Sequence, residues 1–128
     1  MNITVTIPDW ILERLGQAGK DFGSVSSRMD LAISLAEENV SKKTGGPFAA
    51  VIFDMSTWEP VSAGVNLVTS ENCSIFHAEM VAIMTAQKKL GCYDLSMASQ
   101  GKYELVTSTE PCAMCFGAVP WSGVSSIV

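Results

Sequence analysis

Two short stretches decide how this chain reads: Ser74-Ile75-Phe76-His77-Ala78-Glu79-Met80 and Thr109-Glu110-Pro111-Cys112-Ala113-Met114-Cys115. Proline is favoured in the first turn of a helix, so the second stretch predicts a short helix from Pro111 to about Trp121. Cys112 and Cys115 are then spaced i, i+3 and share one face at a positive helix end, which stabilises thiolates. Taken alone, the pair fits two packing cysteines or a redox couple as well as half of a metal site. His77 opens a strong predicted helix, His77 to Leu90, with Met80, Val81, Ile83 and Met84 at core spacing and Gly91 just past its end. It is the chain's single histidine, and a lone histidine among Ile75, Phe76 and Ala78 reads as a packing residue or as a ligand. In mid-helix, Glu79 would point about 200° away from His77. The two can therefore serve one site only at the first turn, where His77 is not yet fully helical. A glutamate there also suits the helix dipole with no other role.

Working outward, Phe48 to Asp54 and Val61 to Val68 read as strands joined by a turn containing Trp58, Glu59 and Pro60, which predicts an antiparallel hairpin. Thr69 to Ser74 reads as a loop, Tyr103 to Ser108 as a third strand and Val124 to Val128 as a fourth. Upstream, Ser26 or Ser27 can cap a helix running to about Lys42, with Met29, Ala32, Ile33, Ala36 and Val40 on one face. Thr44-Gly45-Gly46-Pro47 stops that helix. Met1 to Ile7 reads as an extended arm, Trp10 to Leu15 as a helical turn and Gly16 to Ser27 as a connection. After the first long helix the order is strand, strand, helix, strand, helix, strand, the alternation of crossover units.

The 128 residues suit one domain, and 48% hydrophobic against 16% charged residues is the composition of a folded core. A net charge of -5 and a pI near 4.7 leave no cationic field for a phosphate backbone. No stretch approaches the roughly 20 apolar residues of a bilayer span, and Met1 to Thr6 lacks a basic and then apolar export pattern, so a cytoplasmic location and no membrane partner are expected. In a reducing compartment, paired cysteines point to metal binding or catalysis sooner than to disulfides.

Cys112 follows Glu79 by 33 residues, and His77-x-Glu79 with Pro111-Cys112-x-x-Cys115 matches the H-x-E, P-C-x-x-C signature of zinc deaminases. The chain resembles the cytidine deaminase-like superfamily from about Ser27 to its end. Gly46-Pro47-Phe48-Ala49-Ala50, Gly64-Val65-Asn66 and Thr109 through Ala118 are similar to its purine branch. The run continuing through Trp121-Ser122-Gly123-Val124 is most similar to bacterial guanine deaminases, including those that act on ammeline.

The resemblance implies a three-layer α-β-α fold of the α/β class with a mixed central sheet. It implies residues 1–25 as an N-terminal extension and residues 26–128 as the zinc-dependent deaminase domain, with the family's C-terminal strand and helices absent after the fourth strand. It implies one Zn2+ per chain, with a bound water or hydroxide, held by His77, Cys112 and Cys115, and Glu79 as the catalytic proton shuttle. Asn66 is implied to hold the substrate ring, Phe48 and Trp121 to wall the pocket, and Ala78 and Cys112 to border the reacting centre with their main chains. Asn66 also fits a turn-favouring residue at a strand end, and the two aromatics also fit a core. The implied reaction is deamination of a free purine base, guanine to xanthine plus ammonia, or of an aminotriazine such as ammeline, by a homodimer. A chain ending at Val128 is expected to bind zinc, to turn over guanine slowly without the family's lid, and to self-associate through its exposed fourth strand. The rival readings are tRNA adenosine deamination, which the acidic charge disfavours, cytidine or deoxycytidylate deamination, and a zinc-bound interaction module without catalysis. The retained Glu79 argues against the last of these, because a structural site has no use for a proton shuttle.

Overall fold

Strand β1 (Ala49–Asp54) is the hub, and its sequence AAVIFD reads as a continuous apolar run because both of its faces are covered. The structure is a computed structural model describing residues 1–99 and 101–128. On one edge β1 pairs antiparallel with β2 (Pro60–Val65), Ala50 opposite Gly64, with Trp58 in the connecting turn at φ 57°. On the other edge β1 pairs antiparallel with β3 (Tyr103–Thr107), Val51 opposite Val106, and β3 pairs in parallel with β4 (Ser126–Ile127). The sheet order is β2-β1-β3-β4.

Side-chain alternation splits β1 between two cores. Ala49, Val51 and Phe53 pack with Ile11 of α1 (Asp9–Gln17) and with Leu31, Ala32, Leu35 and Ala36 of α2 (Val25–Ser41). Ala50 and Ile52 pack on the opposite face with Ala78, Ala82, Ile83 and Ala86 of α3 (Ala78–Leu90), and α4 (Ala113–Ser122) adds Ala118 and Val119 there. The result is the expected three-layer α-β-α arrangement with a mixed sheet. Among the described residues, no helix is long and apolar enough to cross a membrane.

Several local expectations are corrected. The cap of α2 is Ser24, whose side chain accepts from the Ser27 N–H at 3.1 Å, not Ser26 or Ser27. The buried stripe of α2 is Arg28, Leu31, Ala32, Leu35, Ala36 and Asn39, while Ile33 and Val40 are exposed. Two buried polar side chains rotate the helix away from its simplest apolar face. One of them, Arg28, donates from Nε to Glu104 Oε1 at 2.8 Å and from Nη1 to the Phe22 carbonyl at 2.7 Å, and its guanidinium lies 3.8 Å from the Trp58 ring centroid. In α3, Val81 and Ile83 are buried as expected, but Met80 and Met84 are only partly buried, and Ala78, Ala82 and Ala86 fill the remaining buried apolar positions where the helix comes close to the sheet. Helix α4 begins at Ala113 with Cys112 as its N-cap, so Pro111 precedes the helix, and β4 is only two residues long.

Candidate metal and catalytic site

The C-terminal ends of β2 and β3 and the N-termini of α3 and α4 meet at one end of the sheet. His77 is the N-cap of α3 with extended backbone, φ -67° and ψ 156°. Its side chain therefore leaves the helix before the turn that carries Glu79, and the two reach the same site despite their i, i+2 spacing. Gly64 of β2 lets α3 come this close, because a Cβ there would collide with the Ala78 carbonyl oxygen and the Ala82 nitrogen. Ser62 adds a hydrogen bond from its hydroxyl to the Ala82 carbonyl at 2.9 Å.

His77, Cys112 and Cys115 form a cluster whose ligand atoms all lie within 4.8 Å of one another. Cys112 Sγ is 3.6 Å from His77 Nδ1, close to the roughly 3.5 Å between donors that tetrahedral zinc with Zn–S and Zn–N bonds near 2.3 and 2.0 Å requires. One imidazole and two thiols at converging helix N-termini are a donor set suited to zinc. The Cys112 thiol is held below its ordinary pKa chiefly by the nearby backbone N–H of Cys115. Cys115 is pushed the other way, first by burial and then by the charge of Glu79. A cation at this position would offset both penalties and hold both sulfurs as thiolates.

Glu79 is buried, and its Oε1 accepts a hydrogen bond from the Thr107 hydroxyl at 3.1 Å. Thr107, at the end of β3, escaped the sequence reading, because its partner is 28 residues away and nothing local marks it. The cavity in front of Glu79 measures about 180 Å³ and is lined by Phe48, Asn66, His77, Ala78, Thr109, Glu110 and Cys112. Glu110, beside Pro111, is a further wall residue that sequence reasoning did not single out. Asn66 lies just beyond β2, donates from its main-chain N–H to the Phe48 carbonyl at 3.0 Å, and closes an Asx turn by accepting from the Val68 N–H at 3.3 Å. Trp121 does not line this cavity and is 85% exposed. It follows Cys112 by nine residues, which along a helix carries it roughly 13 Å from the site. A larger concavity of about 660 Å³ beside α4, lined by Pro111, Phe116, Ile127 and Val128 among others, contains none of the three clustered side chains His77, Cys112 and Cys115.

The sequence of guanine deaminase from Bacillus subtilis is 43% identical over 91 residues, covering 71% of this chain and 54% of that protein. A tRNA-specific adenosine deaminase from Rickettsia bellii is 33% identical over 76 residues, covering 59% and 49%. The chain thus spans about half the length of the curated relatives it matches. Among solved structures, guanine deaminase from Nitrosomonas europaea superposes with TM-score 0.89 at 38% identity, covering 99% of this chain and 70% of that one. A mutant protein solved in complex with 8-azaguanine gives TM-score 0.90 at 37% identity, covering 98% and 69%. Coverage so complete takes in most of the N-terminal segment. Residues 24–128 match the family model described as the cytidine and deoxycytidylate deaminase zinc-binding region, and with its H-x-E and P-C-x-x-C residues gathered at one end of the sheet, this chain belongs to that deaminase family.

Proposed function

We propose that the protein deaminates a free purine base by zinc-dependent hydrolysis, guanine to xanthine plus ammonia, with ammeline as a further substrate. The observation that carries this reading is the buried Glu79 carboxylate, held by Thr107, beside the His77, Cys112 and Cys115 cluster in a small cavity. His77, Cys112 and Cys115 would hold one zinc and leave a fourth position open. When bound, zinc supplies the lowering of a water pKa towards about 7 that makes hydroxide available at neutral pH. Glu79 removes the proton of the attacking water and passes it to the ring nitrogen next to the amino-bearing carbon. It then takes the second proton from the hydroxyl now bonded to that carbon and delivers it to the departing amine, which leaves as ammonia while the water oxygen remains as the carbonyl. The Asn66 amide offers donors and an acceptor to a base edge, Phe48 packs against the ring, and the main chains of Ala78 and Cys112 border the reacting carbon.

A volume near 180 Å³ is below the roughly 300 to 1,000 Å³ of pockets for larger ligands and suits a lone base. The similarity to guanine deaminases and to a protein solved with 8-azaguanine supports a purine. A net charge of -5 offers no surface for a tRNA backbone. The reading extends to a homodimer, for which Phe116 and Trp121, exposed on α4, provide apolar surface.

The test is ammonia release from guanine, ammeline, adenosine, cytidine and cytosine by the wild type and by Glu79→Gln. The variant keeps the shape of the side chain and its zinc but loses at least about 10² to 10⁴ in rate, the usual contribution of a positioned acid/base. Wild-type turnover in Glu79→Gln would reassign the proton shuttle, and activity confined to cytidine would replace the substrate.

A further inference from the structure

We propose that the N-terminal helix α1 acts on the base-binding edge through a relay of Trp10, Thr44 and Asn39, in which Asn39 is the positioning residue for Asn66. The inference rests on the reading of Asn66 as the residue that holds the base.

Asn39, near the end of α2, is 0% exposed, and a buried amide is retained only when its donors and acceptor are matched. Its Nδ2 donates to the Gly46 carbonyl at 2.8 Å and to the Asn66 carbonyl at 3.0 Å. Its Oδ1 accepts from the Thr44 hydroxyl at 2.6 Å, and that hydroxyl accepts from the Trp10 indole N–H at 3.2 Å. Every bond runs in one direction, from indole to hydroxyl to amide to two carbonyls. The two carbonyls can only accept, which fixes the amide with its NH2 group toward the site.

Both carbonyls belong to the segments that build the cavity. Gly46 lies two residues before Phe48, and Phe48 and Asn66 both line the wall. The Gly45 backbone approaches so closely that a Cβ there would overlap the Asn66 carbonyl and come within 2.8 Å of Asn39 Nδ2. One side chain therefore clamps the Gly45 to Phe48 segment against Asn66, and α1 supplies the last donor of the clamp. When the Thr44 hydroxyl is lost, Asn39 Oδ1 loses its partner, the amide can turn, and the two carbonyls lose a common anchor.

The experiment measures the equilibrium affinity of the zinc-loaded full chain for 8-azaguanine by calorimetry, together with zinc content and thermal midpoint. The proteins compared are the wild type, Asn66→Ala, Thr44→Val, Thr44→Ser and Trp10→Phe. Thr44→Val matches threonine in shape without its hydroxyl and weakens binding about three- to tenfold, the loss of one net hydrogen bond. Thr44→Ser keeps the hydroxyl and stays within about twofold of wild type, Trp10→Phe falls between them, and zinc content is unchanged throughout. Weaker binding in Asn66→Ala together with wild-type affinity in Thr44→Val would overturn the relay and leave the base-holding role of Asn66 intact. Equal losses in Thr44→Val and Thr44→Ser, or losses that follow zinc content and thermal midpoint, would likewise overturn it in favour of a merely structural contact. No binding by the wild type, or wild-type affinity in Asn66→Ala, would overturn the reading of the site itself and the relay with it.

Discussion

Replacing Glu104 by leucine removes one half of a buried ion pair and leaves the Arg28 charge inside the protein. Arg28 and Glu104 side chains are 3% and 6% exposed, with Nε 2.8 Å from Oε1, and Glu104 Oε2 also accepts from the Ser126 hydroxyl at 3.1 Å. The pair ties α2 to β3 and β4, and through the Phe22 carbonyl to the segment before α2. Breaking a buried pair from one side typically costs about 3 to 5 kcal/mol. Here the Phe22 carbonyl and the Trp58 face still hold the guanidinium, so the lower end, about 3 kcal/mol, applies. With an unfolding entropy near 2.1 cal/mol/K per residue, a chain of 128 residues loses roughly 11 °C of thermal midpoint. Arg28→Met combined with Glu104→Leu removes both charges and regains most of that loss, because two apolar side chains of similar volume leave no buried charge unpaired. Thermal unfolding followed by circular dichroism, at neutral pH and in low and high salt, reads all three proteins. Salt has little effect, since burial shields the pair from screening. Zinc content stays at wild type in Glu104→Leu, because Glu104 lies at the opposite end of β3 from Thr107. A Glu104→Leu midpoint within about 3 °C of wild type, or a double variant as unstable as the single, would refute the argument that an unpaired buried charge dominates.

Thr107→Val removes the hydroxyl that donates to Glu79 and lowers turnover of guanine by about tenfold or more at unchanged zinc content, whereas Thr107→Ser retains most activity; equal kinetics for the two would dismiss the contact. Gly64→Ala forces β2 and α3 apart at the Ala78 carbonyl and costs about 1 to 3 kcal/mol, read as a lower urea midpoint and weaker zinc retention, since α3 carries His77 and Glu79. Zinc affinity rises with pH across the neutral range, because the two thiols and the imidazole must lose protons to bind it, and a metal titration that is flat between pH 6 and 8 would argue against the His77, Cys112 and Cys115 ligand set.

The amino-acid sequence by itself determined whatever rests on short spacings. The i, i+3 pair of Cys112 and Cys115 behind a proline, His77 two residues before Glu79, the hairpin and the strand-helix alternation are local patterns. Each is set by backbone geometry within a turn or two, and together they made the family and the layered architecture readable. Tertiary structure decided what depends on partners far along the chain. The buried face of α2 cannot be read from its own periodicity, because Arg28 finds its charge partner 76 residues away and Asn39 its carbonyl acceptors across a loop and a strand end. Thr107 became part of the site only when β3 placed it beside Glu79, and α4 carried Trp121 away from the cavity that Cys112, nine residues before it, helps to line. A spacing rule records which residues can share a face, but burial of a polar side chain is permitted only by a partner, and the partner is chosen by the packing of whole elements.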